Sequence, residues 1–173
     1  MTRRFLSHAV LLLVVVGQRT AAQRPARGPA TPQAFGDALV RTLRSADSKG
    51  RENLIHPTVL ACSGGENRIY LDEVLRLERQ DAPLDTGRYT VSVTDVPSKP
   101  SMFGLPDSLF AYAVPPTKQI EVEFLGSNGT TTAVSVLFVA QSPNGWFEVV
   151  PCPKAGGVAW FREQMRQRNK GRG

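Results

Sequence analysis

Two rhythms of apolar and polar residues divide this chain. Phe35, Ala38, Leu39, Thr42, Leu43 and Ala46 recur at i, i+3 and i+4 spacing, which predicts a helix over residues 31–47 that buries one stripe. Thr31 followed by Pro32 supplies its start: a hydroxyl to cap the first turn, then a proline where a missing N–H is harmless. Ser48, Lys49 and Gly50 are expected to end it. The apolar segment 53–57, stopped by Pro57, predicts a short turn of helix. Residues 66–80 carry Ile69, Leu71, Val74 and Leu75, with Asp72 and Arg76 one turn apart. An alternation within that run could suit a strand, but its length and helix-forming residues favour a second helix.

After that helix the period becomes two. Tyr89, Val91 and Val93 alternate with Thr90, Ser92 and Thr94, predicting a half-buried strand that ends at Pro97. A Pro- and Ser-rich stretch over residues 98–116 holds an apolar patch at 109–112. Ile120, Val122 and Phe124 alternate with Gln119, Glu121 and Glu123, a second strand with one polar face. Asn128-Gly129 is a favoured hairpin centre because both residues tolerate positive φ. Residues 130–140 are apolar on both faces in their second half, which places them centrally in the sheet. Asn144-Gly145 predicts a second turn, leading to a strand over residues 146–150. Three consecutive strands and two tight turns make an antiparallel meander. Val158, Phe161 and Met165 then line one face of an amphipathic helix that frays into a basic tail.

A third pattern stands at the start. Arg3 and Arg4 precede an apolar run over residues 9–17, and small residues Thr20, Ala21 and Ala22 follow, the order of a secretory signal peptide. The run is about half of the roughly 20 residues that span a bilayer, which disfavours an uncleaved anchor. The expected organisation is a signal peptide over residues 1–22, cleaved near Ala22, and a flexible lead-in over 23–30. A single α+β domain over 31–161 and a basic helix end and tail over 162–173 follow. The product is expected to be exported, periplasmic or secreted.

At 173 residues, 41% hydrophobic and 21% charged, the composition is that of one globular domain, not a fibrous or disordered chain. The formal charge of +6 invites a nucleic-acid partner. Removing the leader with Arg3, Arg4 and Arg19 leaves +3, and much of the remainder sits in Arg24, Arg27 and the segment from Arg162. No nucleic-acid partner is therefore expected. Arg162, Arg166, Arg168, Lys170 and Arg172 could meet an anionic membrane surface, or serve as a solvated tail. Cys62 and Cys152 are the only cysteines, without metal-ligand or C-x-x-C spacing, and an oxidising compartment makes a disulfide their expected state. Two free thiols, or one nucleophile with His56, are the alternatives.

The order of a helix at 31–47, an apolar turn ending at His56 and Pro57, a second helix and long sheet strands resembles the nuclear-transport-factor-2-like superfamily. The resemblance is architectural, covers about residues 31–151, and implies helices folded over a curved antiparallel sheet of about four strands as a cone, here with a C-terminal helix. That superfamily includes ketosteroid-isomerase-like enzymes, polyketide cyclases, dehydratases and non-catalytic binding or assembly domains. The expected function is an exported binding or assembly module for a small apolar ligand or a protein partner. The alternative is a small isomerase- or cyclase-type enzyme with a base inside the cone.

Such chemistry needs a base and a donor in a dry pocket. The available groups are His56, Tyr70, Asp72, Glu73, Tyr89, Asp95 and Tyr112, none of which falls in a specific motif. His56, Tyr89, Tyr112 and Trp146 are the candidates for lining a ligand pocket. A histidine before proline more often fixes a turn, and aromatics more often fill a core. Asn128-Gly129-Thr130 fits a glycosylation sequon that the turn alone also explains. Phosphate loops, nucleophile elbows and zinc motifs are absent from the sequence, so no cofactor or metal is expected.

Overall fold

The computed structural model describes residues 27–81 and 87–170. The leader at 1–22, part of the lead-in and the last three residues lie outside the described residues. Helix α1 spans Pro32–Arg44, and the Thr31 side chain accepts from the Ala34 N–H at 3.1 Å. It ends earlier than its apolar spacing predicts, at Ser45, with Ala46 taking a positive φ of 53°.

Residues 48–50 do not end that helix. They open α2 (Ser48–Glu52), because the Asp47 carboxylate accepts from the Gly50 N–H at 2.8 Å and caps a new first turn. The segment 53–57 forms the predicted turn only in its first part. Asn53 and Leu54 turn, with the Leu54 N–H donating to Arg51 and the Ile55 N–H to Glu52, Ile55 then bridges to Glu148, and α3 (Pro57–Cys62) starts only at the proline. One 3-10 turn (Gly65–Asn67) leads into α4 (Arg68–Asp81), the predicted second helix.

The strands are β1 (Arg88–Asp95), β2 (Phe110–Ala111), β3 (Lys118–Leu125), β4 (Thr131–Ser142), β5 (Gly145–Glu148) and β6 (Cys152–Pro153). Helix α5 (Gly157–Lys170) closes the chain. Strands β1, β3, β4 and β5 form an open antiparallel sheet in the order β1-β3-β4-β5. Val91 faces Val122, Ile120 faces Leu137, and Val139 faces Glu148. The fold is thus α+β: N-terminal helices, a four-stranded antiparallel sheet and a C-terminal helix.

Both hairpin turns differ in detail from the expected Asn-Gly centres. Residues 126–130 connect β3 to β4, with Gly129 at φ 82°. In the second, Ser142 pairs with Gly145, so Pro143 and Asn144 form the loop and Gly145 opens β5 at φ 126°. The outer edge of β5 is covered rather than open. The Trp146 N–H donates to Pro29, the Glu148 N–H to Leu54, and the His56 N–H to Glu148, at 2.8, 2.8 and 2.9 Å. These bonds tie Pro29, at the end of the lead-in, to the sheet and leave no template there for a foreign strand.

Two apolar clusters hold the layers together. Phe35, Leu39 and Leu43 of α1 pack on Ile120, Val122, Phe124, Leu137 and Val139 of the sheet. Tyr70 and Leu71 of α4, Phe110 of β2, and Val158 and Phe161 of α5 enclose Phe138, Ala140 and Val149. Each fully buried large side chain contributes about 1.5–3 kcal/mol. Helix α1 sits close on β1 because Gly36 has no side chain: a Cβ there would lie 2.5 Å from a Val91 methyl. We expect Gly36→Val to destabilise the fold by about 1–3 kcal/mol through overpacking, read as a lower urea midpoint; an unchanged midpoint would contradict this contact.

Cys62 of α3 and Cys152 of β6 are joined as a disulfide with their Cα atoms 5.9 Å apart. Strand β6 in turn pairs with β2, so the bridge ties the helical layer to the loop region 96–117. Among the described residues no helix is long and apolar enough to cross a membrane.

Candidate functional site

Strand β5 carries one carboxylate in an otherwise apolar run, Glu148. Its N–H donates to Leu54 and its carbonyl accepts from His56, both in the segment alongside, and it stands opposite Val139, so its backbone is fixed. Its side chain is only 3% exposed. Arg51 of α2, equally buried, pairs with it through Nη2 and also reaches Glu78 of α4, its Nε lying 3.0 Å from Oε2. Two carboxylates therefore share one guanidinium, and the Nη1 of Arg51 is buried with no hydrogen-bond partner.

Glu148 and Glu78 both line a cavity of about 360 Å³. The volume falls within the roughly 300–1,000 Å³ of small-ligand sites, which are walled by apolar side chains with few polar groups. Val74, Leu77, Leu105, Phe138, Val150 and Phe161 supply most of the apolar wall, and Tyr70 is the remaining polar lining residue. Phe103, on the connection between β1 and β2, also lines it, in the left-handed region at φ 54° and with its ring 5.5 Å from that of Phe138.

Electrostatics set these lining groups apart. Burial pushes Glu148 above the usual carboxylate range, to about 8; Arg51 opposes that shift and the charge of Glu78 adds to it. Burial alone would lower Arg51, but Glu148 and Glu78 outweigh it and hold the guanidinium charged. Tyr70 is raised by burial and by the neighbouring Tyr112, Glu148 and Glu78, so it stays a neutral hydroxyl.

The raised carboxyl has a consequence for stability. Between its ordinary value near 4.5 and about 8, the folded chain holds a proton on Glu148 that the unfolded chain releases. Unfolding free energy from this group therefore falls as pH rises through that window, by up to about 1.4 kcal/mol per unit. Glu52 and Glu73, held low by hydrogen bonds from Arg68 and Arg76, lose their contribution only as pH falls below the ordinary range. Between pH 5 and pH 7.5 the urea midpoint of the native chain should therefore fall relative to that of Glu148→Gln, the lowered His56 acting with opposite sign on both chains alike. An unchanged difference between the two would contradict the raised carboxyl.

None of the four aromatic or histidine candidates is among the residues lining this cavity. His56 caps α3, its Nδ1 accepting from the Thr58 N–H at 3.2 Å, and its ring stands edge-on to Phe147. Burial lowers its pKa, which favours the neutral form that makes this cap. Tyr89 donates to Asp37 at 3.0 Å beneath the guanidinium of Arg44, and Trp146 is buried in the cluster under α1. Tyr112 comes nearest: it donates to the Ser101 carbonyl at 2.7 Å, its ring meets Phe138, and burial and Glu148 raise its pKa. Of the other groups weighed, only Tyr70 lines the cavity; Asp72 and Glu73 pair with Arg68 and Arg76, and Asp95 with Lys118.

Arg162, Arg166 and Lys170 of α5 are exposed along a groove floored by Ile69, Phe161 and Met165. Among the described residues no cluster of three His, Cys, Asp or Glu side chains could hold a metal ion. The chain matches no protein-family model, no curated protein and no solved structure.

Proposed function

We propose that this chain is an exported binding module that holds a small, largely apolar molecule between its sheet and α4. The observation that carries the reading is the apolar cavity of about 360 Å³ whose lining includes only three polar groups, the buried Glu148 and Tyr70 and the half-buried Glu78. Apolar walls supply affinity and a few fixed polar groups supply orientation, which is the usual division of labour in small-ligand sites. Export is supported by the disulfide and by the charged, apolar and small-residue order of residues 3–22. The helix-then-sheet order supports a nuclear-transport-factor-2-like relationship.

The binding test uses 2-phenylethanol, a neutral probe with an apolar ring and one hydroxyl, titrated into the mature chain and followed by amide chemical shifts. Saturable shifts at residues around Val74, Leu105 and Val150 are expected. Val136→Trp and Leu105→Trp place bulk in the cavity from two partly exposed positions and should weaken that binding at least about tenfold. Equal binding in both variants would contradict the reading.

A second reading, an isomerase- or cyclase-type enzyme, draws on the same carboxyl. A Glu148 titrating near neutrality suits a base that removes a proton next to a carbonyl, with Tyr70 as the donor that steadies the resulting oxyanion. Its distinguishing result is solvent deuterium entering a ketone probe at a rate that Glu148→Gln abolishes.

A further inference from the structure

We propose that the molecule held in this cavity is an amphipathic cation: an apolar body carrying a protonated amine that seats against Glu78 and Glu148. The inference rests on the binding reading above and specifies the chemistry of its ligand.

Charge balance within the cavity favours a cation. The cavity wall contains two carboxyl side chains and a phenol, and no lysine, arginine or histidine is among its lining residues. The cation behind the carboxyls, Arg51, is a single guanidinium shared between both of them. When both are ionised, one negative charge is left uncompensated beside the buried Glu148, and such a charge is costly until a cation or a proton meets it. The proton is the default: burial, with the charge of Glu78 adding to it, keeps one on Glu148 above the ordinary carboxylate range. An ammonium group entering from the cavity replaces that proton. It gives Glu78 and Glu148 charge-assisted donors, while its apolar body meets Val74, Leu77, Leu105 and Phe138.

A neutral ligand leaves the charge unrelieved, and an anionic one adds to it. Selection among isosteres of one shape therefore falls to the head group. The groups facing Glu148 are Arg51 from α2, Glu78 and Tyr70 from α4, and Tyr112 beyond β2. The two phenols remain neutral hydroxyls, so ligand binding exchanges one proton of Glu148 for one ammonium.

The test titrates the mature chain with three probes of nearly equal size: 2-phenylethylamine, 2-phenylethanol and phenylacetate. The amine is expected to bind about tenfold tighter than the alcohol, and phenylacetate weakest, since a hydrogen bond to a charged group outweighs a neutral one. Between pH 6 and pH 8 the amine's affinity should rise by up to about tenfold per unit, with proton release measured by calorimetry in buffers of different ionisation heat, while the alcohol's does not. In Glu78→Gln the ratio of amine to alcohol affinity should collapse towards one. Equal affinities for amine and alcohol, or a ratio unmoved by Glu78→Gln, would overturn the inference and leave the binding reading standing. Failure of all three probes to bind would overturn both.

Discussion

Replacing Arg51 by Met is expected to lower stability by about 3–5 kcal/mol at neutral pH, because it strips the buried Glu148 and the half-buried Glu78 of the guanidinium they share. Removing the whole cluster tells a different story. The triple variant Arg51→Met, Glu78→Gln, Glu148→Leu should recover most of the loss, since an apolar replacement of a buried ion cluster is often neutral or stabilising. Urea unfolding of the native, single and triple variants at pH 5 and pH 7.5 measures this. A triple variant as unstable as the single one would show that the three side chains do not act as a unit.

The second large effect lies in the disulfide. Cys62 and Cys152 are 90 residues apart, and closing a loop of that length is worth about 4–5 kcal/mol in the chain-entropy model. The double variant Cys62→Ala, Cys152→Ala should accordingly melt about 10–15 °C lower than the native chain. Reduction of the native protein should reproduce that drop. Local attachments explain why the effect is large here: the bridge fixes α3 to the β2–β6 pair, which borders the cluster under α4 and α5. A shift of only one or two degrees would mean that β2 and β6 hold that region unaided.

Much of this architecture was legible in local patterns. Period two in residues 89–94 and 119–124 places Val91 and Val122 directly opposite each other, and the doubly apolar second half of β4 is buried from Leu137 to Ala140. Thr31 and Pro32 mark the start of α1 as their chemistry requires. Short elements were harder. Helix α2 has five residues, too few for a 3.6-residue period, and its one signal was an Asp47 three residues before Gly50, the spacing of a side-chain cap.

The site was the least legible part, for a physical reason. His56, Tyr89 and Trp146 are conspicuous residue types, but each is satisfied locally, by a turn, by Asp37 or by the α1 cluster. Strand alternation says that a side chain is covered without saying by what. The informative residue was a plain one: Glu148, a lone acid inside the apolar run 146–150, where burial of a charge requires a partner. That partner, Arg51, lies 97 residues away, and only the packing of α2 against β5 brings the two together. An acidic residue in a strand without a polar face was the signal that could have marked it.

Where a bound molecule lies is the direct test of the account. Intermolecular nuclear Overhauser effects between 2-phenylethanol and methyl groups of the protein report that position. Contacts to Val74, Leu77, Leu105 and Val150, lost in Val136→Trp, are expected. Contacts confined to exposed side chains such as Ile69 and Val134, or no contacts at saturating probe, would contradict it.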